Sequence, residues 1–456
     1  MTKTFCIIGA GTYGCYLANA LAQKFPQSII YLIEAGGKAI QSESEIGFSS
    51  YLTHSNYNAA SAGRYFGLGG TSAKWGGQLL FFSQNDFKDC PQMQAVVENN
   101  EKYKDKVLQR FFEQPPLLQE KKLDEEAVVK QGIWLKFQKR NLFSTFTIDK
   151  KKNIQIITNY RVTQIRHTGG KISSVLLSNK SETKEIKADQ YYLTAGALES
   201  VRLLMASGIK DIEEESLSFS DHISLRCFKI LSDSGTVGPV DFRFKFTQGS
   251  MITSRITGEI DDISYYAHPI FNESFILFQL LKQIIFKGQF SVAKSVAAVK
   301  QVLSFFPFVY RYFVKKDLFI YKSWFLNIDV ELSKSENIVR LSETKDAYGE
   351  AGLDITFSIT DQTLDKLAIA RNKIRKFLTD NDISFAEVNA DATTIKVEDV
   401  YHPYALFQYK PGDTIWDVYN PLDKLYLFNT GLLQRAGAIN PTASLFCLIE
   451  QHVEEL

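Results

Sequence analysis

The segment Phe5-Cys-Ile-Ile-Gly-Ala-Gly-Thr-Tyr-Gly14 runs from a short apolar stretch directly into the motif GxGxxG. Apolar residues at helical spacing follow from Cys15 to Lys24, and Ile29–Ile33 forms a second apolar stretch. Short stretches of this kind are typical of strands buried in a parallel sheet. The order of strand, glycine-rich turn, helix and strand therefore predicts a βαβ unit that is complete within about 30 residues.

The three glycines have separate tasks in a βαβ unit that binds a dinucleotide. Gly9 permits the tight turn, Gly11 lets the backbone approach a pyrophosphate, and Gly14 allows close packing of helix on strand. The N-terminus of the helix, near Thr12, offers free N–H groups and a partial positive charge to the phosphates. Glu34 ends the second strand, where its carboxylate can accept the ribose hydroxyls and would repel a 2′-phosphate. We therefore expect a Rossmann-type site for FAD or NAD, and the unit alone does not choose between them.

The composition excludes several other classes of protein. With 456 residues, 45% of them hydrophobic and 23% charged, the chain is long enough for two or three ordinary globular domains. Its 52 basic and 51 acidic residues create no overall field that would attract nucleic acid. The five cysteines are scattered without metal-like spacing, which predicts a reducing compartment and no metal site. Because neither a signal peptide nor an apolar run of about 18 residues is visible, the cytoplasm is the expected location.

Several short motifs follow one another along the chain: Glu34-Ala-Gly-Gly37, Gly67-Leu-Gly-Gly-Thr-Ser-Ala-Lys-Trp-Gly-Gly77, Thr194-Ala-Gly-Ala-Leu-Glu-Ser-Val-Arg-Leu-Leu204, Ser220-Asp-His222, His402-Pro403 and Asn440-Pro441. In type and order they resemble the motifs of the glucose–methanol–choline (GMC) oxidoreductases, which depend on FAD. The resemblance covers both ends of the chain, and residues 228–395 match only loosely. It implies FAD rather than NAD as the cofactor.

The resemblance also implies a domain plan. We predict the α/β class, with a discontinuous Rossmann-type FAD-binding domain and an inserted α+β substrate-binding domain on a mostly antiparallel sheet. Strands are expected at Tyr191–Thr194 and Lys424–Phe428, and helices at Thr363–Thr379 and from Pro441 onward. The expected parts are 1–90 and 151–226 for the FAD-binding domain, 91–150 for an insertion or lid and connection, 227–395 for the substrate domain, and 396–456 for the return to the FAD-binding domain with the catalytic pair.

The loop Gly67–Gly77 permits backbone N–H groups to lie against a flat ring and a pyrophosphate, because its glycines lack a Cβ. Some relatives attach FAD covalently through a His in this loop, where this chain has Lys74. An ammonium group is a poor candidate for that linkage, so non-covalent FAD is expected. The residues expected to bind FAD are Gly9, Gly11, Thr12, Gly14, Glu34, Ala35, Gly69, Gly70, Thr71, Ser72, Trp75, Gly76, Gly77, Val162, Ala195, Gly196, Asn429, Thr430, Gly431, Pro441 and Thr442.

Removing hydride from an alcohol carbon requires the hydroxyl proton to leave as well, and histidine is the usual group for that task. His402 matches the catalytic His of the family, as base or hydrogen-bond partner, although a His before Pro is often only a loop residue. Asn440 matches the second catalytic position and would orient the substrate oxygen, although Asn before Pro is also a good helix N-cap. His222, beside Asp221, is expected to have a structural role near the cofactor.

The substrate is the least defined part of the prediction. We expect a primary or secondary alcohol, with a sugar or sugar-derived hydroxyl first, and leave the electron acceptor open. After His402 the chain departs from the family's usual small residues with Tyr404-Ala-Leu-Phe-Gln408, and Asn429 stands where many relatives have Asp. The alternatives are a lyase on the same fold, an NAD enzyme, and a catalytically idle flavoprotein that serves as a partner- or membrane-associated subunit.

One basic segment admits two interpretations. From Ser274 to Lys316 no acid occurs, and apolar residues recur at helical spacing. Such a segment can lie on the inner face of an anionic membrane, or it can be an ordinary helix of the substrate domain with a solvated lysine face. Its basic residues are Lys282, Lys287, Lys294, Lys300, Arg311, Lys315 and Lys316.

Overall fold

The computed structural model of the protein describes residues 2–53, 62–87, 90–209, 217–232, 234–247, 250–270, 310–318, 323–332, 337–388 and 398–456. A parallel sheet of five strands lies at the centre of the nucleotide-binding part. Because strands from both ends of the chain pair with strands from its middle, this domain is discontinuous, as predicted. The strands lie in the order Leu425–Leu427 (β25), Gln190–Leu193 (β11), Thr4–Ile8 (β1), Ile29–Glu34 (β2) and Ile154–Thr158 (β7).

Three helices pack together beside this sheet: Thr12–Lys24 (α1), Pro91–Phe111 (α3) and Thr442–Glu455 (α8). Tyr16 of α1 stacks on Phe446 of α8 with ring centroids 4.1 Å apart. Glu450 of α8 accepts hydrogen bonds from the Tyr16 hydroxyl (2.7 Å) and from Arg110 Nη2 (2.8 Å) on α3. The predicted βαβ unit and C-terminal helix are therefore confirmed, and the buried Glu450 joins all three helices.

Two smaller groups of strands flank the parallel sheet. The strands Arg161–Thr168 (β8), Lys171–Ser178 (β9) and Thr183–Ile186 (β10) form an antiparallel meander, and the Gly169-Gly170 turn between β8 and β9 has φ of +59° and +76°. Helix Ala197–Ala206 (α5) follows β11. A four-stranded sheet has the order Leu217–Ser218 (β12), Ile338–Lys345 (β21), Ala351–Thr356 (β22) and Ser50–Thr53 (β3).

The substrate domain is built on an antiparallel sheet of eleven strands, as predicted. Its main path is Asp317–Leu318 (β19), Phe244–Thr247 (β16), Ser250–Ile260 (β17), Ile263–Ile270 (β18), Trp324–Glu331 (β20), His222–Ile230 (β13) and Phe385–Glu387 (β23). Off this path, β17 pairs with Ala127–Trp134 (β6), β6 pairs with Gln78–Leu79 (β4) and Glu120–Lys122 (β5), and β13 pairs with Glu398–Asp399 (β24). Three strands that precede residue 150, namely β4, β5 and β6, thus belong to the substrate sheet.

The remaining elements are short, apart from the predicted helix near residue 370, which spans Asp361–Asp380 (α6) and packs on β20. The short helices are Glu43–Ile46 (α2), Leu142–Thr145 (α4) and Ile415–Val418 (α7), and Thr236–Val237 (β14) pairs with Val240–Asp241 (β15).

Residues 274–309 of the basic segment lie outside the described residues. Among the helices that are described, none has both the length and the apolar character that a membrane crossing requires.

Candidate active site

A cavity of about 1020 Å³ extends from the parallel sheet to the antiparallel one. At one end it reaches Ile8 and Glu34, at the carboxyl ends of β1 and β2. At the other end it reaches Arg255 and Asp329 of the large sheet, together with His402. Ligands of open α/β sheets bind outside the carboxyl ends of the parallel strands, so the cavity occupies the expected position for a dinucleotide.

The glycine-rich turn has the geometry that its sequence predicts. Gly9 has φ of +105°, and a Cβ on Gly14 would lie 1.9 Å from the carbonyl oxygen of Gly9. Gly11 occupies the N-cap position of α1 and faces open space, because a Cβ there would have no atom within 4 Å. The first turn of α1 has neither an acidic residue nor a side-chain cap, so its N–H groups remain available to an anion in the cavity.

Glu34 holds three backbone segments together at this end. Its Oε2 accepts from Ala10 N, and its Oε1 accepts from Gly36 N and Gly67 N, each at 2.9 Å. Burial raises the pKa of this carboxyl, while the backbone N–H groups act in the opposite direction. The carboxylate also borders the cavity. Its first task is therefore to fix the nucleotide turn against the Gly67 loop, and Oε2 retains capacity for one more hydrogen bond.

The loop Gly67–Gly77 packs directly on the nucleotide turn. A Cβ on Gly70 would lie 2.8 Å from Gly11 Cα, so only glycine permits this approach. Gly70–Ala73 forms one turn of 3₁₀-helix, and the Ser72 hydroxyl accepts from Leu142 N (3.0 Å). The loop thus presents backbone to the cavity and uses its buried Ser72 for support.

The residues expected to bind FAD fall into two groups. The cavity wall contains Gly9, Gly11, Thr12, Glu34, Ala35, Gly70, Thr71, Trp75, Gly76, Gly77, Val162, Ala195, Gly196, Thr430 and Thr442. Six others are not part of that wall and support its backbone from behind: Gly14, Gly69, Ser72, Asn429, Gly431 and Pro441. Asn429 shows how, because its buried Oδ1 accepts from Gly431 N (2.9 Å) in the turn beside Thr430.

These residues fit a flavin dinucleotide. Gly11 and Gly196 both face open space at the cavity wall. A helix N-terminus suited to phosphate borders the cavity, and so does the backbone of the glycine-rich loop at Gly70, Gly76 and Gly77. The wall therefore offers backbone groups for a pyrophosphate and surfaces without a Cβ for a planar ring.

His402 lies at the opposite end, in the loop after β24. Its backbone N–H donates to both carboxylate oxygens of the buried Asp221, at 2.9 and 3.1 Å. The His402 ring lies 6.0 Å from the ring of His222 and perpendicular to it, and its buried Nδ1 has no partner among the described residues. Burial, and next the proximity of His222, lowers the pKa of His402 to about 3. The imidazole is therefore neutral at neutral pH.

The side-chain amide of Asn440 is held through its oxygen. Its Oδ1 accepts from Thr442 N (2.9 Å), and no described residue accepts from its Nδ2. The helix begins at Thr442 with Pro441 in the cap position, one residue later than an Asn440 cap would place it. Asn440 nevertheless satisfies a backbone donor of the first turn. Because its oxygen is occupied, the amide is oriented to donate from Nδ2 at the cavity wall.

A buried ionic cluster behind this end holds the ring of His222 in place. Glu331 accepts from Arg435 Nη2 (2.5 Å) and from Gly437 N (2.6 Å), and the carbonyl of Gly437 accepts from His222 Nε2 (2.7 Å). A carbonyl oxygen only accepts, so His222 carries its proton on Nε2. Burial would raise the pKa of Glu331, but the charges of Arg435 and His222 lower it. His222 is thus held by the protein, in agreement with its expected structural role.

The large sheet adds cavity residues that the motifs do not identify. They include Arg255 on β17, Tyr266 and His268 on β18, and Asp329 on β20. Their sequence signal is slight: polar side chains inside otherwise apolar strands. Only the register of the strands shows that they face one cavity. Apolar side chains beside them are Trp134, Phe244, Met251, Pro269 and Ile270.

Comparison with known proteins agrees with this architecture. Residues 138–225 match the family model described as GMC oxidoreductase, and no curated protein matches the chain significantly. Pyridoxine 4-oxidase from Mesorbium loti is similar in structure, with a TM-score of 0.59, 15% identity and coverage of 100% of this chain and 99% of that chain. A formate oxidase variant from Aspergillus oryzae RIB40, studied for FAD modification, has a TM-score of 0.51 at 12% identity and covers 99% and 98% of the two chains.

The fold combines a Rossmann-type domain with a mostly antiparallel substrate sheet, and the cavity borders both. The match of residues 138–225 and the shared fold confirm the resemblance to the GMC oxidoreductases, a family whose cofactor is FAD.

Proposed function

We propose that the protein oxidises an alcohol by removing hydride from its CH–OH carbon, with non-covalently bound FAD as cofactor. One observation carries the proposal. His402 and Asn440, which come from different loops, share one cavity wall with the glycine-rich loop and the dinucleotide turn. A neutral proton acceptor and an oriented amide donor are the two groups that a departing hydroxyl proton and its oxygen require.

Bound FAD supplies the hydride acceptor. The chain's own residues act on the hydroxyl group of the alcohol. Asn440 Nδ2 donates a hydrogen bond to the hydroxyl oxygen and orients it, while neutral His402 accepts the hydroxyl proton. The N-terminus of α8, which begins at Thr442, places its partial positive charge where negative charge develops.

The low pKa of His402 determines when the hydroxyl proton can be transferred. An imidazole with a pKa of about 3 is a weak base, so proton transfer from a neutral alcohol is unfavourable at the start of the reaction. As hydride leaves the carbon, the hydroxyl oxygen becomes electron-poor and its proton becomes more acidic. His402 therefore accepts a hydrogen bond first and takes the proton as the hydride leaves, so that a neutral carbonyl compound results.

For the substrate, a sugar or sugar-derived hydroxyl is our first proposal, and the segment from Gly69 to Trp75 supports it. The structurally similar enzymes are named for pyridoxine and for formate, which shows that the shared fold does not fix one substrate. We also propose the domain limits stated above and a cytoplasmic location, the latter because all five cysteines are free thiols.

Non-covalent attachment is proposed because Lys74, which borders the cavity, stands where some relatives carry the linking His. Denaturing the yellow protein with acid should release its flavin into the supernatant. Flavin that remains with the precipitated chain would contradict this part of the proposal and leave the alcohol chemistry intact.

The whole proposal is tested by anaerobic stopped-flow measurement of flavin reduction with polyols, sugars, sterols and aliphatic alcohols. At least one class should bleach the flavin rapidly, and the two-electron product should be the corresponding carbonyl compound. A lyase would consume its substrate without bleaching. A colourless protein that binds NAD would overturn the proposal entirely.

A further inference from the structure

Arg255 is a buried cation on the wall of the cavity. It lies near the middle of β17, is only 5% exposed to solvent, and borders the cavity. A guanidinium stays protonated even when buried, so its charge requires compensation from neighbouring groups. Those neighbours decide whether the cavity is electrically balanced at this point.

The contacts of Arg255 provide no full negative charge. Its Nη2 donates to Gln78 Oε1, and its guanidinium carbon lies 4.9 Å from the centre of the Tyr266 ring. Its buried Nε has no hydrogen-bond partner, and Arg255 forms no salt bridge within the described part of the chain. A side-chain amide and an aromatic face stabilise a guanidinium only partly.

Asp329 is the acid that could neutralise Arg255, but it is already engaged. Its carboxylate accepts from Ser224 Oγ and lies 3.4 Å from His268 Nε2. Burial would raise the pKa of Asp329, and the charge of His268 together with hydrogen bonds from Ser224 and Tyr266 lowers it. Asp329 thus makes its hydrogen bonds on its own strand pair. Burial lowers the pKa of Arg255, and the charge of Asp329 opposes this without an ion pair or hydrogen bond between the two side chains in the described part of the chain.

Gln78 is itself held so that it can bind only one side of Arg255. Its Nε2 donates to Thr253 Oγ1 (2.9 Å), which also accepts from Trp134 Nε1 (3.0 Å). This arrangement directs the Gln78 oxygen toward Arg255. The remaining guanidinium donors are left for a ligand, as in sites that recognise carboxylate or phosphate.

Arg255 lies at the reacting end of the cavity. Burial is the main cause of the low pKa of His402, and the charges of Arg255 and Asp329 also act on that imidazole. From these contacts we infer that the substrate is an alcohol carrying an oxyanion, either carboxylate or phosphate, and that Arg255 binds the oxyanion while His402 and Asn440 address the hydroxyl. The inference rests on the proposed function and adds the class of substrate to it.

The test compares matched alcohols that differ in charge, using the purified FAD-loaded protein. Glycerate and glycerol 3-phosphate are compared with glycerol, and 4-(hydroxymethyl)benzoate with benzyl alcohol, by anaerobic flavin reduction. In at least one pair the anionic member should show at least 10-fold higher kcat/KM. The anionic alcohol that shows this preference indicates whether the site recognises a carboxylate or a phosphate.

Variants at Arg255 test whether this residue causes the preference for anionic alcohols. Arg255→Gln should lower kcat/KM for the anionic alcohol, mainly through KM, by at least 10-fold more than it changes kcat/KM for the neutral partner. Arg255→Lys, which retains the charge, should recover part of the loss. Arg226→Gln removes an arginine from β13 of the same sheet, away from the cavity wall, and should leave the preference intact.

A binding measurement separates this inference from the proposed function. Benzoate and inorganic phosphate should raise the Tm of the wild type above a chloride control of equal ionic strength, and should not raise the Tm of Arg255→Gln. If anions bind through Arg255 and no alcohol reduces the flavin, the proposed function fails and the oxyanion site stands. If neutral alcohols react as well as anionic ones and neither anion binds, the inference is overturned while the function survives.

Discussion

Asp221 determines where His402 lies, although it does not touch the imidazole of His402. The carboxylate accepts the backbone N–H of His402 and also that of His222 (2.7 Å), so it joins two loops that are distant in sequence. The ring of His222 is held separately through Gly437. The His402 imidazole is therefore positioned through its main chain, and its buried Nδ1 has no hydrogen-bond partner within the described residues.

Substituting His402 by Ala should slow flavin reduction by the true substrate by roughly 10²-fold or more, the usual contribution of an acid–base group. FAD content should stay near that of the wild type, because His402 belongs to the substrate end of the cavity. Rapid-mixing absorbance gives both values. His167→Ala, on the β8–β9 hairpin, is the matched control and should change neither. An unchanged rate in His402→Ala would make His402 a structural loop residue.

Asn440 combines two functions that different substitutions separate. Asn440→Asp keeps the acceptor for Thr442 N and suits the helix N-terminus, but it removes the Nδ2 donor and adds negative charge beside the substrate oxygen. We expect a large fall in the reduction rate with unchanged Tm. Asn440→Ala should lose the rate and, in addition, about 1 kcal/mol of stability with the lost cap. Equal rates in the wild type and Asn440→Asp would exclude a role for the amide donor.

Helix α8 is anchored to the parallel sheet by a histidine among aromatic rings. His452 Nε2 lies 3.2 Å from the Tyr192 hydroxyl on β11, and the imidazole lies 4.4 Å from the ring of Tyr426 on β25. Burial, followed by the charge of Lys24, lowers the pKa of His452 from 6.5 to about 4. The folded protein therefore keeps this side chain neutral where the unfolded chain would protonate it.

This difference predicts how stability depends on pH. The stabilising contribution of neutral His452 is complete above pH 6.5 and is lost as the pH falls toward 4. At pH 5 the lost contribution amounts to about 2 kcal/mol. Urea unfolding at pH 8 and pH 5 should show this loss, and His452→Phe should lose less between the two pH values. The pH 8 value of the same variant controls for its altered packing, and an equal loss in both proteins would contradict the assignment.

The elements of the nucleotide-binding domain were predictable because their signals are local. The strand β1, the turn at Gly9–Gly14 and helix α1 are adjacent in sequence, and the motifs gave the positions of His402 and Asn440 directly. For the substrate domain the sequence predicted a mostly antiparallel sheet, but it did not predict which strands pair. Its strand register places Arg255 and Asp329 in the cavity, and pairings such as that of β6 with β17 join residues far apart in sequence. The periodicity of apolar residues indicates where a strand lies, but it does not indicate which strand it pairs with.

Segments from Ile8 to Thr442 together form the wall of the cavity described above. A ligand that contacts all of them stabilises the folded chain as a whole, by about 2.7 kcal/mol when its concentration is 100 times its Kd. We therefore expect the Tm of the FAD-depleted protein to rise with the logarithm of added FAD. ADP and riboflavin, which each fill part of the cavity, should give smaller rises. A Tm that responds to NAD and not to FAD would contradict the cofactor assignment.

The position of β25 and α8 also bears on how the protein is made. The edge strand of the parallel sheet, the Thr442 end of the cofactor site and the partner of Tyr16 all come from residues that leave the ribosome after the segments they pack against. A nascent chain that ends before Asn440 has the phosphate turn but lacks the amide, and its helix α1 lacks the surface that covers it. The cavity wall and the surface that covers α1 are therefore complete only after α8 has been synthesised.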